Sequence, residues 1–365
     1  MDKDMHYYGT YCLARAAGLK QEAARIIAHS AQFVDDSVAK ETDQHKDGSK
    51  IVSVPTAHHV VDIRNLNETA QRYIWVPFHF IPGCQGDSFT EQLVCRMDST
   101  VAREMVYHNI EQPHPFILEL VGITAHVYMD TFAHYGFSGV SSRRNRVVNS
   151  SIETEQYESV VNAAMGKTLG QWFAKYGGQG SLLDNIRSII SFGGELGSGA
   201  LGHGGVSTYP DQPYLKWSFE YEYPHLSGED RMHHDNPATF LEGAMRMYNI
   251  FLQFATTHPE YYSGTEMRWG QVEDSIKEIL ALEVGRDDRI EAWREASISG
   301  EFVEGGEEIP EYSSDEWNDA HENFSEMETS AEAFELPVYR FFQAADFHQN
   351  YVLRQLLPSH GLIVV

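Results

Sequence analysis

The chain has 365 residues, 42% of them hydrophobic and 22% charged, with only 13 prolines. That composition supports a buried core and excludes a collagen, a disordered tail and a small disulfide-stapled scaffold. A net charge of −26 repels nucleic-acid polymers and anionic lipid at long range, so a basic phosphate-backbone surface is not expected. Cys12, Cys84 and Cys95 are an odd, sparse set without a Cys-x-x-Cys pair, which excludes a disulfide framework and thiolate zinc sites.

The N-terminus, Met1-Asp2-Lys3-Asp4-Met5-His6-Tyr7-Tyr8, has no apolar core or cleavage site of a signal peptide. It predicts a cytoplasmic protein, or one exported without a visible signal peptide. Apolar residues at helical spacing predict helices over 10–18 and 20–36, then 89–111, 114–135, 153–176, 181–191, 237–257, 266–284 and 328–356. The second of these carries Ala23, Ile26, Ile27, Ala31 and Val34 as one stripe. Only Lys50–Val54 alternates like a strand, and no apolar run is long enough to span a bilayer. The expected fold class is therefore all-α, a multi-helix bundle with long irregular loops.

Two segments break the pattern. Residues 192–215 are rich in glycine and end at Pro210 and Pro213, a long loop of the kind that carries function. Residues 271–335 hold 21 Asp or Glu against four Lys or Arg. Trp293, Trp317 and Phe324 argue against disorder there, so this tract reads as a solvated, mostly helical face. The expected organisation is a helical metal-site domain over 1–270, an acidic insertion or face over 271–335 and a C-terminal helix over 336–365 packing back on the core. All of it is also compatible with one domain.

The chemistry concentrates in Ala125-His126-Val127-Tyr128-Met129-Asp130-Thr131-Phe132-Ala133-His134. His126, Asp130 and His134 are spaced by four, and each step rotates the side chain by about 40°, so they line one stripe of a helix. Imidazoles and a carboxylate are the ligand set of zinc and related divalent ions. Among Leu118, Leu120, Val121, Ile123 and Phe132, three ionisable groups are costly to bury unless paired or metal-bound. The total drift is too large for one ion, so Asp130 reads as a bridge between two. Further donors of the same type are Asp4, His6, Asp35, Asp36, His58, His59, His79, His203 and Asp211. Singly each is ordinary; together they outline a site drawn from the first 216 residues.

Rival motifs are absent. There is no His-Glu-x-x-His, no Gly-x-Ser-x-Gly and no P-loop. The Glu-x-x-His pairs of a di-iron bundle occur only as Glu111…His114 and Glu222…His225, each interrupted by proline.

The start Asp4-x-His6-Tyr7-Tyr8-x-Thr10-Tyr11 and the run His126-x-x-x-Asp130-Thr131-Phe132-Ala133-His134 resemble the zinc-dependent phospholipase C superfamily. The fungal single-strand-specific nucleases share its fold, and the bacterial zinc metallophospholipases C are the nearest in motif. The resemblance implies two to three zinc ions. Asp130 would bridge, and His126 would ligate beside Asp35 or Asp36 and one of His58, His59 and His79. His134, His203 and Asp211 would hold a second ion, and His6 with Asp4 a third. In the secreted members the N-terminal amine chelates zinc, and Asp4 is expected to take that place here. The implied activity is hydrolysis of a glycerophospholipid, phosphatidylcholine-like, and peripheral membrane contact is compatible with the sequence. Asp35 or Asp36 would act as general base, and Tyr7, Tyr8, Phe78 and Phe80 would pack the choline head. A nuclease or nucleotidase on the same metals, and a metal-stabilised binding protein without turnover, are the alternatives.

Overall fold

A computed structural model describes residues 1–38, 41–58, 67–155, 201–223 and 231–365. A π-helical turn, Asp4–Gly9, runs straight into α1 (Thr10–Ala16). The chain reverses at Gly18, whose φ of +84° suits glycine, and enters α2 (Gln21–Asp36). Thr42–Gln44 (β1) and Lys50–Val52 (β2) pair as an antiparallel hairpin, with Asp43 opposite Ile51. Three helical turns, Glu68–Ala70, Gln71–Trp75 and Val76–Phe78, then lead to His79.

The helix expected over 89–111 is broken. It forms a turn at Phe89–Gln92 and then α3 (Thr100–Ile110). The break falls where Asp98 adopts a φ of +47° and the Ser99 side chain accepts from the Ala102 N–H, starting a new helix. Next comes α4 (Ile117–Ala133), the helix carrying the His/Asp stripe. Of the helices expected over 153–176 and 181–191, nearly all lies outside the described residues; Glu153–Thr154 is instead strand β3. It joins β4 (Lys216–Phe219) and β5 (Met232–Asp235) in an antiparallel sheet of order β3-β4-β5. The described chain is thus mainly helical but not all-α.

Asp235 caps α5 (Asn236–Thr257) by accepting from Ala238. The acidic tract contains the last turns of α6 (Trp269–Leu280), all of α7 (Arg286–Ile298) and α8 (Asp315–Glu322). Pro337 begins α9 (Pro337–Tyr351), which continues as the turn Val352–Leu356.

α4 is buried on almost every side, packed by α2, α3, α5 and α9. Gly122 sets its distance from α2: a Cβ there would fall 2.4 Å from both the Ile27 carbonyl oxygen and the Ser30 Cβ. The tract's aromatic residues pack inward. Trp293, Phe302, Trp317 and Phe324 share one core with α1, α2 and α4. Polar contacts reinforce this packing: Arg289 donates to Asp4 (2.6 Å), Tyr312 to Asp36 (2.6 Å) and Tyr11 to Glu307 (2.8 Å). A second core, with Phe80, Phe137, Trp217 and Phe219, lies under the β3-β4-β5 sheet. Among the described residues, no helix is long and apolar enough to cross a membrane.

Candidate metal centre

Close approach of α2 and α4 brings the Ala31 carbonyl to the His126 ring, which donates to it through Nδ1 at 2.7 Å. The remaining His126 nitrogen, Nε2, faces inward. The same device recurs at three other histidines. His79 donates from Nε2 to Thr56 O (2.9 Å), His134 from Nδ1 to His79 O (3.0 Å) and His203 from Nδ1 to Ser207 O (2.8 Å). A backbone carbonyl on one ring nitrogen fixes the tautomer and aims the other as a lone pair, which is how metal-ligating histidines are oriented.

These lone pairs converge on carboxylates. His126 Nε2 lies 3.2 Å from Asp130 Oδ2 and 3.2 Å from His79 Nδ1, which is itself 3.4 Å from Asp130 Oδ2. His134 Nε2 lies 3.1 Å from Asp211 Oδ1, and His203 Nε2 3.8 Å from Asp211 Oδ2. Three ligand groups result: His6, His126 and Asp130; Asp35, His79 and His126; and His134, His203 and Asp211. Asp130 Oδ2 and both ring nitrogens of His6 are buried without a hydrogen bond. Acceptors turned on acceptors repel unless a cation stands among them, so the donor set fits divalent metal.

The Met1 amino group also enters this centre, 2.8 Å from Asp130 Oδ1 and 3.2 Å from Asp211 Oδ1. Burial pulls its pKa down, but the carboxylates of Asp130, Asp211 and Asp35 outweigh that and raise it to about 11. Burial pulls His126 down to about 4 against the attraction of Asp130. For Asp130 itself burial acts upward, yet His134, the Met1 amine and His126 hold it well below the usual carboxylate range. A neutral His126 beside an ionised Asp130 is the pair of protonation states that metal binding needs.

The other expected residues are placed as follows. Asp4 points away from the ligand groups: its carboxylate is buried against the Arg289 guanidinium, and the Met1 amine occupies the position expected of it. Asp35 joins a ligand group, whereas Asp36 accepts from Tyr312 (2.6 Å) and Gln32 (3.3 Å) beside it. His79, not His58, reaches the centre. His58 lines a separate cavity of about 840 Å³ with Tyr73 and Phe342, while the carbonyl of Thr56 accepts from His79. His59 lies outside the described residues. Tyr7, Tyr8 and Phe78 are buried core residues, so they do not form a choline cage; Tyr7 packs on Tyr312, and Phe78 on His348. Phe80 stacks on His134 with ring centroids 4.8 Å apart and so backs a ligand.

Several contributors carry no sequence motif. Asn236 donates to the carbonyls of Tyr209 (2.8 Å) and Gln212 (2.7 Å), pinning the turn that presents Asp211. Ala31, Thr56 and Ser207 act through their carbonyls, which any residue type supplies. Arg289 was the one detectable exception, being one of only four basic residues in the tract. A fourth acidic group, Glu41, Asp43 and His321, lies apart and is already closed by a 2.8 Å His321–Asp43 hydrogen bond.

A polar cavity of about 490 Å³ opens beside the centre, walled by Met1, Asp35, Asp36 and residues of the tract. Among curated proteins and solved structures, none matches the chain. The model of one protein family, described as "Family of unknown function (DUF6765)", matches residues 1–356, and the chain belongs to that family.

Proposed function

We propose that this protein is a metal-dependent phosphodiester hydrolase working over two to three zinc ions. The observation that carries this reading is the set of four histidines, each anchored by a backbone carbonyl and aimed at Asp130 or Asp211. Clustered divalent ions polarise phosphoryl oxygens and make hydroxide available at neutral pH. The chain's residues divide the remaining work. His126 is common to two ligand groups, standing with His6 and Asp130 in one and with Asp35 and His79 in the other. His134, His203 and Asp211 form the third group, and the Met1 amine lies between Asp130 and Asp211. Asp36 belongs to no ligand group, lines the cavity and is oriented by Tyr312, so it is the general base that takes the proton of the attacking water.

Cleavage of a glycerophospholipid to diacylglycerol and a phosphorylated head group follows from the superfamily resemblance alone. The polar cavity wall, and the burial of Tyr7, Tyr8 and Phe78, favour the second reading on the same ligands, a nuclease or nucleotidase acting on a water-soluble ester. The test is zinc-loaded protein assayed on bis(p-nitrophenyl) phosphate, phosphatidylcholine vesicles and a short single-stranded oligonucleotide. Hydrolysis that is lost on chelation and in Asp130→Ala is expected. Fewer than two tightly held ions per chain with no turnover of any ester would overturn the reading in favour of a metal-stabilised binding protein.

A further inference from the structure

The cavity beside the metal ligands has a charge pattern that the ligand set does not explain. Its wall carries three carboxylates, and each is accounted for. Asp35 stands in a ligand group, and Asp36 accepts from Tyr312 and Gln32. Asp2 faces the guanidinium of Arg289 at 3.4 Å. The cations on the same wall are less committed. Arg286, nearly half exposed, reaches Asp2 and Asp287 only at 3.9 Å each, beyond hydrogen-bond distance. Lys3 makes no ion pair among the described residues and sits over the Tyr312 ring, 5.6 Å from its centroid. Ser313 and Ser314 add hydroxyl donors, and the apolar side chains of the wall are those of Met1 and Tyr312.

On a chain with 53 acidic and 27 basic residues, two loosely held cations at the mouth of a metal centre stand out against the long-range field. A guanidinium and an ammonium beside hydroxyls form a receptor for phosphate oxygens. We propose that Lys3 and Arg286 bind a second anionic group on the substrate, one phosphoester unit from the phosphate held at the metals. The substrate class is then a small, water-soluble phosphoester bearing a further phosphate, whether on a nucleoside or on a glycerol. The inference rests on the hydrolase reading only for what happens to the first phosphate; recognition of the second is separate.

The experiment is calorimetric titration of the zinc-loaded full chain with matched pairs that contain no diester. Thymidine 5′-monophosphate is compared with thymidine 3′,5′-bisphosphate, and glycerol 3-phosphate with glycerol 1,3-bisphosphate. The bisphosphate binds at least about tenfold tighter than its partner, as one charge-assisted contact requires. The larger ratio identifies the nucleoside or the glycerol source. In Lys3→Met/Arg286→Gln the preference collapses towards unity. Lys46→Met, which removes a lysine paired with Glu328 on the β1–β2 hairpin, keeps it. Thermal melting checks that each variant is folded. No preference in the wild type, or an equal preference in the folded double variant, overturns the inference. If the preference holds and no diester is cleaved, the receptor stands and the hydrolase reading falls; if diesters are cleaved without it, the reverse is true.

Discussion

Asp130 shows how burial and charge decide the state of a single side chain. It is inaccessible to solvent, which alone would favour its neutral form, yet an amine and four imidazoles lie within 3.4 Å of its oxygens. Glu119, about three turns earlier on α4, is the opposite case. Burial raises it to about 7, with Arg340 too weak to offset the lost hydration. The unfolded chain ionises this group from about pH 4.5, while the folded chain keeps it protonated until about pH 7. Stability contributed by the neutral acid is therefore lost as pH rises through that window. Glu119→Gln keeps the shape without the charge, so the variant gains on the wild type by up to about 3 kcal/mol between pH 5 and pH 8. Urea unfolding at the two pH values measures it, and parallel curves would exclude an ionisation cost at this position.

At the level of elements, the candidate metal centre depends on pieces far apart in sequence. The α2–α4 pair supplies Asp35, His126 and Asp130 at a separation that Gly122 permits. The acidic tract holds the N-terminal turn in place through α7: Arg289, fully buried, donates to Asp4 at 2.6 Å and to the Val284 carbonyl at 2.8 Å. Breaking such a pair leaves an uncompensated buried charge. Arg289→Met is expected to cost about 3–5 kcal/mol, whereas Asp4→Leu/Arg289→Met recovers most of that loss. Chemical denaturation of both variants is the measurement. A single variant as stable as the wild type would mean that Asp4 is solvated in the native protein.

Across the whole molecule, the charge of −26 is unevenly spread, with −17 of it in residues 271–335. The tract turns its aromatic residues inward and places Arg289 and Tyr312 at the site, so its acidity is the outer face of a packed layer. The proposed metal would add a global term. A ligand set buried this deeply has little affinity in the unfolded chain, so zinc at a thousand times its Kd stabilises the fold by about 4 kcal/mol. The expected result is a rise in Tm on adding zinc that a chelator reverses. An identical Tm with and without zinc would show that these groups hold no ion in the folded state.

Local periodicity determined much of this by itself. The four-residue spacing of His126, Asp130 and His134 places them on one face of any helix, and the apolar stripe of α2 marks what packs against it. Tertiary structure decided the rest. His79 rather than His58 reaches Asp130 because the Thr56 carbonyl meets its ring. The Met1 amine rather than Asp4 faces the centre because Arg289, nearly three hundred residues away, neutralises Asp4. Neither choice has a signature in residue spacing. Backbone carbonyls look alike in every sequence, and a buried ion pair between distant segments exists only once the core has brought them together.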